Sequence, residues 1–193
     1  VSVTGTGTIG VVNVGTTGAQ SYNATTSTTL SGTSYVTSGG TFGVTGAALL
    51  GANLTIDTTN AGGTAAGANI SFSSTINNAQ TLTLTAGTAG GITLSGITGG
   101  TTPLTTFTAT GNTISTTGVR TTGAQSYTGT TSSTFNGTYL SAGGVFGVTG
   151  AALLGGATSI DTTNAGGTAA GANITFSSTI NNGQTLSLTG GTA

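Results

Sequence analysis

The chain has 193 residues, including 37 Gly and 50 Thr, with one basic residue (Arg120), two acidic ones (Asp57, Asp161) and no Lys, Glu, His, Cys, Met or Trp. Charged residues make up 2%, against about 25% in average soluble domains, which excludes the basic patch that nucleic-acid binding requires. A net charge of −1 with a mean hydropathy of +0.27 also departs from the polar, highly charged composition of disordered chains.

Read in order, the chain repeats itself. Residues 1–15 align with 106–120, matching Ile9 with Ile114 and Val14 with Val119. TTGAQSY at 16–22 recurs at 121–127, an offset of 105. Residues 23–54 carry Tyr35 and Phe42, for which the pattern assigns no place, and 47–50 is at most one turn of helix. The stretch from Phe42 recurs from Phe146 at an offset of 104, and 57–70 is identical to 161–174. Asp57 opens TTNAGGTAAGA, which reads as a bulging loop. Beyond it, Ile70-Ser71-Phe72, Leu82-Thr83-Leu84 and Ile92-Thr93-Leu94 alternate apolar and hydroxyl residues, the period of a strand. β-Branched Thr suits such strands. Turn signals punctuate them at 77–78, 87–91, 99–100 and 182–183. The organisation is a repeat unit over 1–105 and an incomplete second over 106–193. Beginning and ending in mid-pattern, with no cap recognisable at Val1 or Ala193, the chain reads as a piece of a longer array.

Spacing sets the expected architecture. Ile70, Ile92 and Ile114 are evenly spaced, and the same interval separates Phe72 from Leu94, Leu82 from Leu104, and Ile97 from Val119. Apolar pairs returning every ~22 residues predict an all-β fold, a parallel β-solenoid (β-helix). Strands at alternating gaps of about twelve and ten give two per coil. A unit then holds about five coils, roughly 24 Å at ~4.8 Å per coil. The alternative is a tandem pair of immunoglobulin-like β-sandwiches, which suits ~100-residue units of short strands but not a beat that crosses the unit boundary. One coil cannot offset its own backbone entropy of ~1–2 kcal/mol per residue, so the terminal coils, as open sheet edges, should be covered by further repeats or another subunit.

TTGAQSY, GGTTPLTTFTATG at 99–111 and NGQTLSLTGGTA at 182–193 together resemble the long repeat regions of filamentous haemagglutinin-type and β-strand-repeat bacterial surface adhesins. The resemblance covers nearly the whole chain. It implies a right-handed parallel β-helix, secretion, and a role as stalk, fibre or adhesin, with no catalytic residues to carry over. The family's N-terminal secretion domain is not recognisable here.

Functional candidates are few. Asp57 and Asp161, each followed by an Asn (Asn60, Asn164), make weak Ca²⁺ candidates; the competing role is to shape the loop through side-chain hydrogen bonds. The glycine-rich loops lack the GK[ST] of a phosphate cradle. Arg120 replaces Gly15 of the other copy and reads as a solvated loop charge, with an Asp of another chain as the competing partner. Sequons occur at Asn23, Asn53, Asn69, Asn136 and Asn173. Two distant carboxylates without His, Lys, Glu or Cys do not make an acid–base site, so no enzyme and no cofactor are expected; Tyr22, Tyr35, Tyr127 and Tyr139 read as packing residues. Thr81-Leu82-Thr83-Leu84-Thr85 has the flavour of the Thr-x-Thr face of solenoid ice binders, but residues 71, 93 and 115, its counterparts by spacing, read Ser, Thr, Ser.

No apolar run approaches the ~20 residues of a membrane span, and no charged n-region with an apolar core marks a signal peptide. Without Cys there are no disulfides. The reading is a self-associating structural segment of a secreted or cell-surface bacterial fibre, sheath or adhesin stalk. Its partners would be copies of itself, end to end or laterally, and a host-cell or polysaccharide surface. The alternative is a Thr-rich protein that binds ice or polysaccharide. Stability should be nearly indifferent to pH between about 3 and 10, because so few groups titrate.

Overall fold

A computed structural model describes residues 1–167 and 170–192. Thr168 and Ala169 in the second Asp-led loop, and the terminal Ala193, lie outside the described residues. The architecture is an all-β parallel solenoid: among the described residues nineteen strands join one sheet, and every pairing between them is parallel. Tandem sandwiches, built from antiparallel strands, are thereby set aside.

Each coil has three faces rather than two. The first ladder passes through Ser2, Ser21, Gly43, Ser71, Thr93, Ser115, Thr134, Leu153 and Asn181. Its steps scatter around the interval expected from Ile70, Ile92 and Ile114, from a short one between Ser2 and Ser21 to a long one between Gly43 and Ser71. The second face carries Ile9, Thr28, Ala48, Ile76, Thr98, Val119, Tyr139, Ile160 and Leu188 in its inner column. On the third face the inner column runs Tyr35, Ile56, Leu84, Ala109, Tyr127, Val148 and Phe176.

The three-sided coil corrects several expected contacts. Leu82 pairs with Phe107, not Leu104, and the rung above Val119 is Thr98, leaving Ile97 exposed at 44%. Residues 47–50 form no helical turn; they end the strand Phe42–Leu50, with Ala48 and Leu50 buried in the core. The period of two continues there, so Leu49 points outward. Long steps such as Gly43 to Ser71 and Leu54 to Leu82 arise where the Asp57 loop is inserted between the third and first faces, and Phe146 to Ile174 and Thr158 to Leu186 match them around the Asp161 loop.

The repeat does not close on a whole number of turns. Gln20 lies on the first face of the second coil, paired with Phe42, whereas its counterpart Gln125 lies on the third face of the sixth, paired with Phe107 and Phe146. The unit is thus four turns and two faces, about 4⅔ turns rather than five, or roughly 22 Å of rise. Every feature of the second copy is displayed one face away from the first. Packing travels with the sequence: Tyr22–Phe42 (5.7 Å), Tyr35–Phe42 (5.9 Å) and Phe42–Phe72 (5.9 Å) reappear as Tyr127–Phe146 (5.2 Å), Tyr139–Phe146 (5.8 Å) and Phe146–Phe176 (6.0 Å). Such offset and edge-on ring pairs contribute roughly 0.5–1.5 kcal/mol each beyond their burial.

The interior is a stack of inward residues. Thr98 sits in this stack between Ile76 and Val119, fully buried, its hydroxyl without a hydrogen-bond partner. A buried unmade hydrogen bond costs about 1–3 kcal/mol. We expect Thr98→Val, which keeps the branched shape, to stabilise the fold by about 1 kcal/mol, raising the thermal midpoint by roughly 2–4 °C. An unchanged or lower midpoint in a calorimetric scan would contradict that.

Candidate functional site

The repeated motif TTGAQSY builds a buried corner clamp. In the second copy the Gln125 amide donates to the carbonyls of Leu140 (2.8 Å) and Val119 (3.2 Å) and to Thr121 Oγ1 (3.2 Å). Its oxygen accepts the Tyr127 hydroxyl at 2.9 Å, and Thr121 Oγ1 donates to the Gly123 carbonyl at 2.6 Å. Gln20 repeats the arrangement with Val14, Val36, Thr16 and Tyr22. A polar side chain inside a stack of apolar rungs must satisfy its own hydrogen bonds, and this one bridges two successive coils while doing so. Sequence reasoning missed the role of both glutamines. The exact recurrence of the motif was the available signal.

All four tyrosines are fully buried, in agreement with a packing role. Burial, reinforced by the neighbouring Tyr35, pushes the Tyr22 phenol up to about 12. Burial does the same to Tyr139, up to about 12, against hydrogen bonds that include Thr116. The Tyr127 phenol is raised well above its ordinary range by burial, with Tyr139 adding to it.

The two Asp-led loops are clasped from within. Asp57 Oδ1 accepts the N–H and the hydroxyl of Thr59, both at 2.6 Å, and Oδ2 accepts the Ala61 N–H at 2.8 Å. Asp161 repeats this with Thr163 (2.7 and 2.6 Å) and Ala165 (3.1 Å). At Asp161, burial alone would raise the carboxyl, but these hydrogen bonds outweigh it and hold the group below its usual value. Asn60 and Asn164 adopt positive φ (54° and 55°) with exposed side chains. At the loop base Thr58 Oγ1 both accepts the Ala68 N–H and donates to its carbonyl, each at 2.9 Å. The carboxylates therefore face N–H and O–H donors, the geometry of loop shaping. Among the described residues no group of three or more His, Cys, Asp or Glu comes together. Hydrogen bonds to a charged group contribute about 1.5–3 kcal/mol, most of it local here. We expect Asp57→Ala to open residues 58–68 to amide exchange while lowering the thermal midpoint only slightly. Retained protection at Ala61 and Ala68 would contradict the clasp.

Arg120 lies not in a loop but in the strand Val119–Thr121, on the outer ladder of the second face with Leu140 and Asp161. Its neighbours Val119 and Thr121 are buried, which turns its own side chain outward. The sequon residues Asn23, Asn53, Asn69, Asn136 and Asn173 are all exposed. Asn53 and Asn69 nevertheless use their Oδ1 atoms on the N–H groups of Thr81 (2.9 Å) and Gly91 (2.8 Å) in the next coil.

The threonine array takes a form that the spacing did not reveal. Residues 71, 93 and 115 belong to the first face, but Thr83 and Thr85 belong to the third. The true outward neighbours of Thr83 are Thr55 and Thr108, followed by Ser126, Gly147 and Thr175. Beside that ladder runs a second, Asp57, Thr85, Thr110, Thr128 and Thr149. Two ranks therefore stand at about 4.8 Å along the axis and about 6.7 Å across it, mostly threonine, with Ser126 and Gly147 interrupting the first and Asp57 as the one charge of the second.

No protein-family model, no curated protein and no solved structure matches the chain. Among the described residues no helix is long and apolar enough to cross a membrane.

Proposed function

We propose that the chain is a structural repeat segment of a secreted or cell-surface bacterial fibre, sheath or adhesin stalk, which associates with copies of itself and performs no catalysis. The observation that supports this reading is the unbroken parallel ladder. Coil pairs with coil along one axis and the ladder runs through the boundary between the two copies, Leu82 pairing with Phe107 and Ile114 with Ser133. A solenoid whose repeats follow one another in this way is a rod built by repetition. With a net charge of −1, little repulsion opposes association. The experiment is electron microscopy of the purified chain over a concentration series. Thin rods that lengthen with concentration and give an axial layer line near 4.8 Å are expected; particles that stay about 40 Å long and monodisperse would overturn self-association.

The two-rank threonine face favours a second reading, recognition of an ordered surface such as ice. A partner periodic in two dimensions is what such an array matches, whereas a single small ligand would use one part of it. A thermal-hysteresis assay tests this reading: clear activity, lost when Thr108 and Thr110 are replaced by Lys, would support it, and none in the parent chain would remove it.

A further inference from the structure

Gly43 and Gly147 are glycines that the fold does not need. Glycine inside a strand weakens it, and where no turn or bulge explains it, it marks the close approach of a ligand or another backbone. Gly46, further along the same strand, has such an explanation: its φ is +90°, and a Cβ would run into the Ala24 carbonyl. Gly43 is not among the positive-φ residues, and a Cβ there would meet nothing closer than the rotatable Ser71 hydroxyl at 3.3 Å. At Gly147 nothing lies within 4 Å. Of the other glycines with as much space, Gly7, Gly10, Gly15 and Gly183 are replaced in the other repeat by Asn112, Ser115, Arg120 and Ala79, Gly62 and Gly166 have positive φ, and Gly18 is matched by Gly123, where a Cβ would meet the Thr105 carbonyl at 2.8 Å. Gly43 and Gly147 occupy matching positions and both remain glycine.

Gly43 forms part of the floor of a groove of about 550 Å³ on the first face, walled by Ser21, Thr41, Thr45, Asn69, Ser71 and Thr93. Gly91 lies along the same groove, two coils on. The groove runs along the solenoid axis across successive coils from Ser21 to Thr113, and no charged residue lines it. Its strands are interior members of the ladder, so their backbone groups are already paired and cannot add a peptide strand by main-chain bonds. What they offer is hydroxyl and amide side chains, which both donate and accept. A ligand suited to that surface is extended, uncharged and rich in hydroxyls.

We propose that this groove binds a strand of neutral polysaccharide lying along the solenoid axis. The counterpart residues Ser126, Gly147, Thr149, Asn173 and Thr175 lie on the third face, 4⅔ turns further on. The inference goes beyond the fibre reading and does not depend on it, because an isolated chain would bind as well.

The test is amide chemical-shift mapping of the intact chain titrated with cellohexaose, maltohexaose and xylohexaose, with hexagalacturonate as the charged probe. Signals of Gly43, Ser71 and Thr93 should move with at least one neutral sugar. Gly43→Thr, filling the floor, should weaken that binding at least about tenfold with an unchanged thermal midpoint, while Gly15→Thr, equally open but outside the groove, should not. Gly43→Ala serves as the milder variant if the threonine lowers the midpoint. The proposal is overturned if Gly43→Thr and Gly43→Ala bind like the parent, or if shifts lie elsewhere. It is equally overturned if only hexagalacturonate binds, or if none of the neutral sugars binds at roughly millimolar concentration.

Discussion

Above about pH 10 the protein should lose its stability and unfold as the pH approaches and passes 12. In the unfolded chain a tyrosine ionises near 10. In the fold, burial holds Tyr22 and Tyr139 up to about 12, raises Tyr127 well above the ordinary range and raises Tyr35. Below pH 10 both states keep the phenolic protons, and the stabilisation is fully present. Between 10 and the folded values only the unfolded state releases them, so stability falls as the pH rises. Raising the deeply buried Tyr139 phenol to about 12 is worth on the order of 3 kcal/mol, and four raised phenols compete with a total stability of about 5–15 kcal/mol. The depressed Asp161 carboxyl acts at the opposite end. It contributes stability above the unfolded value, lost as the pH falls through the folded one, and its shallow position makes that loss small. Circular dichroism against pH, read beside tyrosinate absorbance, should give a plateau from about pH 4 to 9 and then coincident unfolding and ionisation. Tyrosines that titrate near 10 without loss of structure would contradict their burial.

Gln125→Leu should lower stability by about 2–4 kcal/mol, the largest single-residue effect expected here from a side chain of nearly unchanged size. The substitution removes an amide that joins Val119, Thr121 and Leu140 and leaves the buried Tyr127 hydroxyl without its acceptor. An unsatisfied buried donor costs about 1–3 kcal/mol, and the lost bonds to two coils add to it. For a chain of this length the thermal midpoint should fall by about 4–16 °C. Gln125→Glu separates hydrogen bonding from shape: it keeps an acceptor for Tyr127 but brings a buried charge, and should be at least as harmful at neutral pH and partly recovered in acid. A Gln125→Leu midpoint within a degree or two of the parent would mean that the clamp adds little and that the aromatic stack holds the corner by itself.

Much of this molecule could be read from the chain. Alternation in Ile70–Phe72 and Gly91–Leu94, with the return of Ile70 at Ile92 and Ile114, identified parallel stacked coils, because in-register strands must place like residues above one another. Tyr22, Tyr35, Tyr127 and Tyr139, read as packing residues where no acid–base site could be assembled around them, are buried, although the pattern assigns Tyr35 no place in a strand. Other features depended on where the corners fall. The sequence carries periods but not the number of sides to a coil, since two or three bends fit within one period equally well. A third face moved Thr83 away from Thr93 and beside Thr108, turned Leu82 to Phe107, and converted a five-coil repeat into one of 4⅔ turns. For Gln20 and Gln125 the sequence offered only the recurrence of TTGAQSY, which says that the motif matters and not how; only the closed interior reveals that each faces carbonyls from successive coils. Local alternation decided which residues form strands. The tertiary winding decided which strands become neighbours, and with them the threonine face, the clamp and the groove.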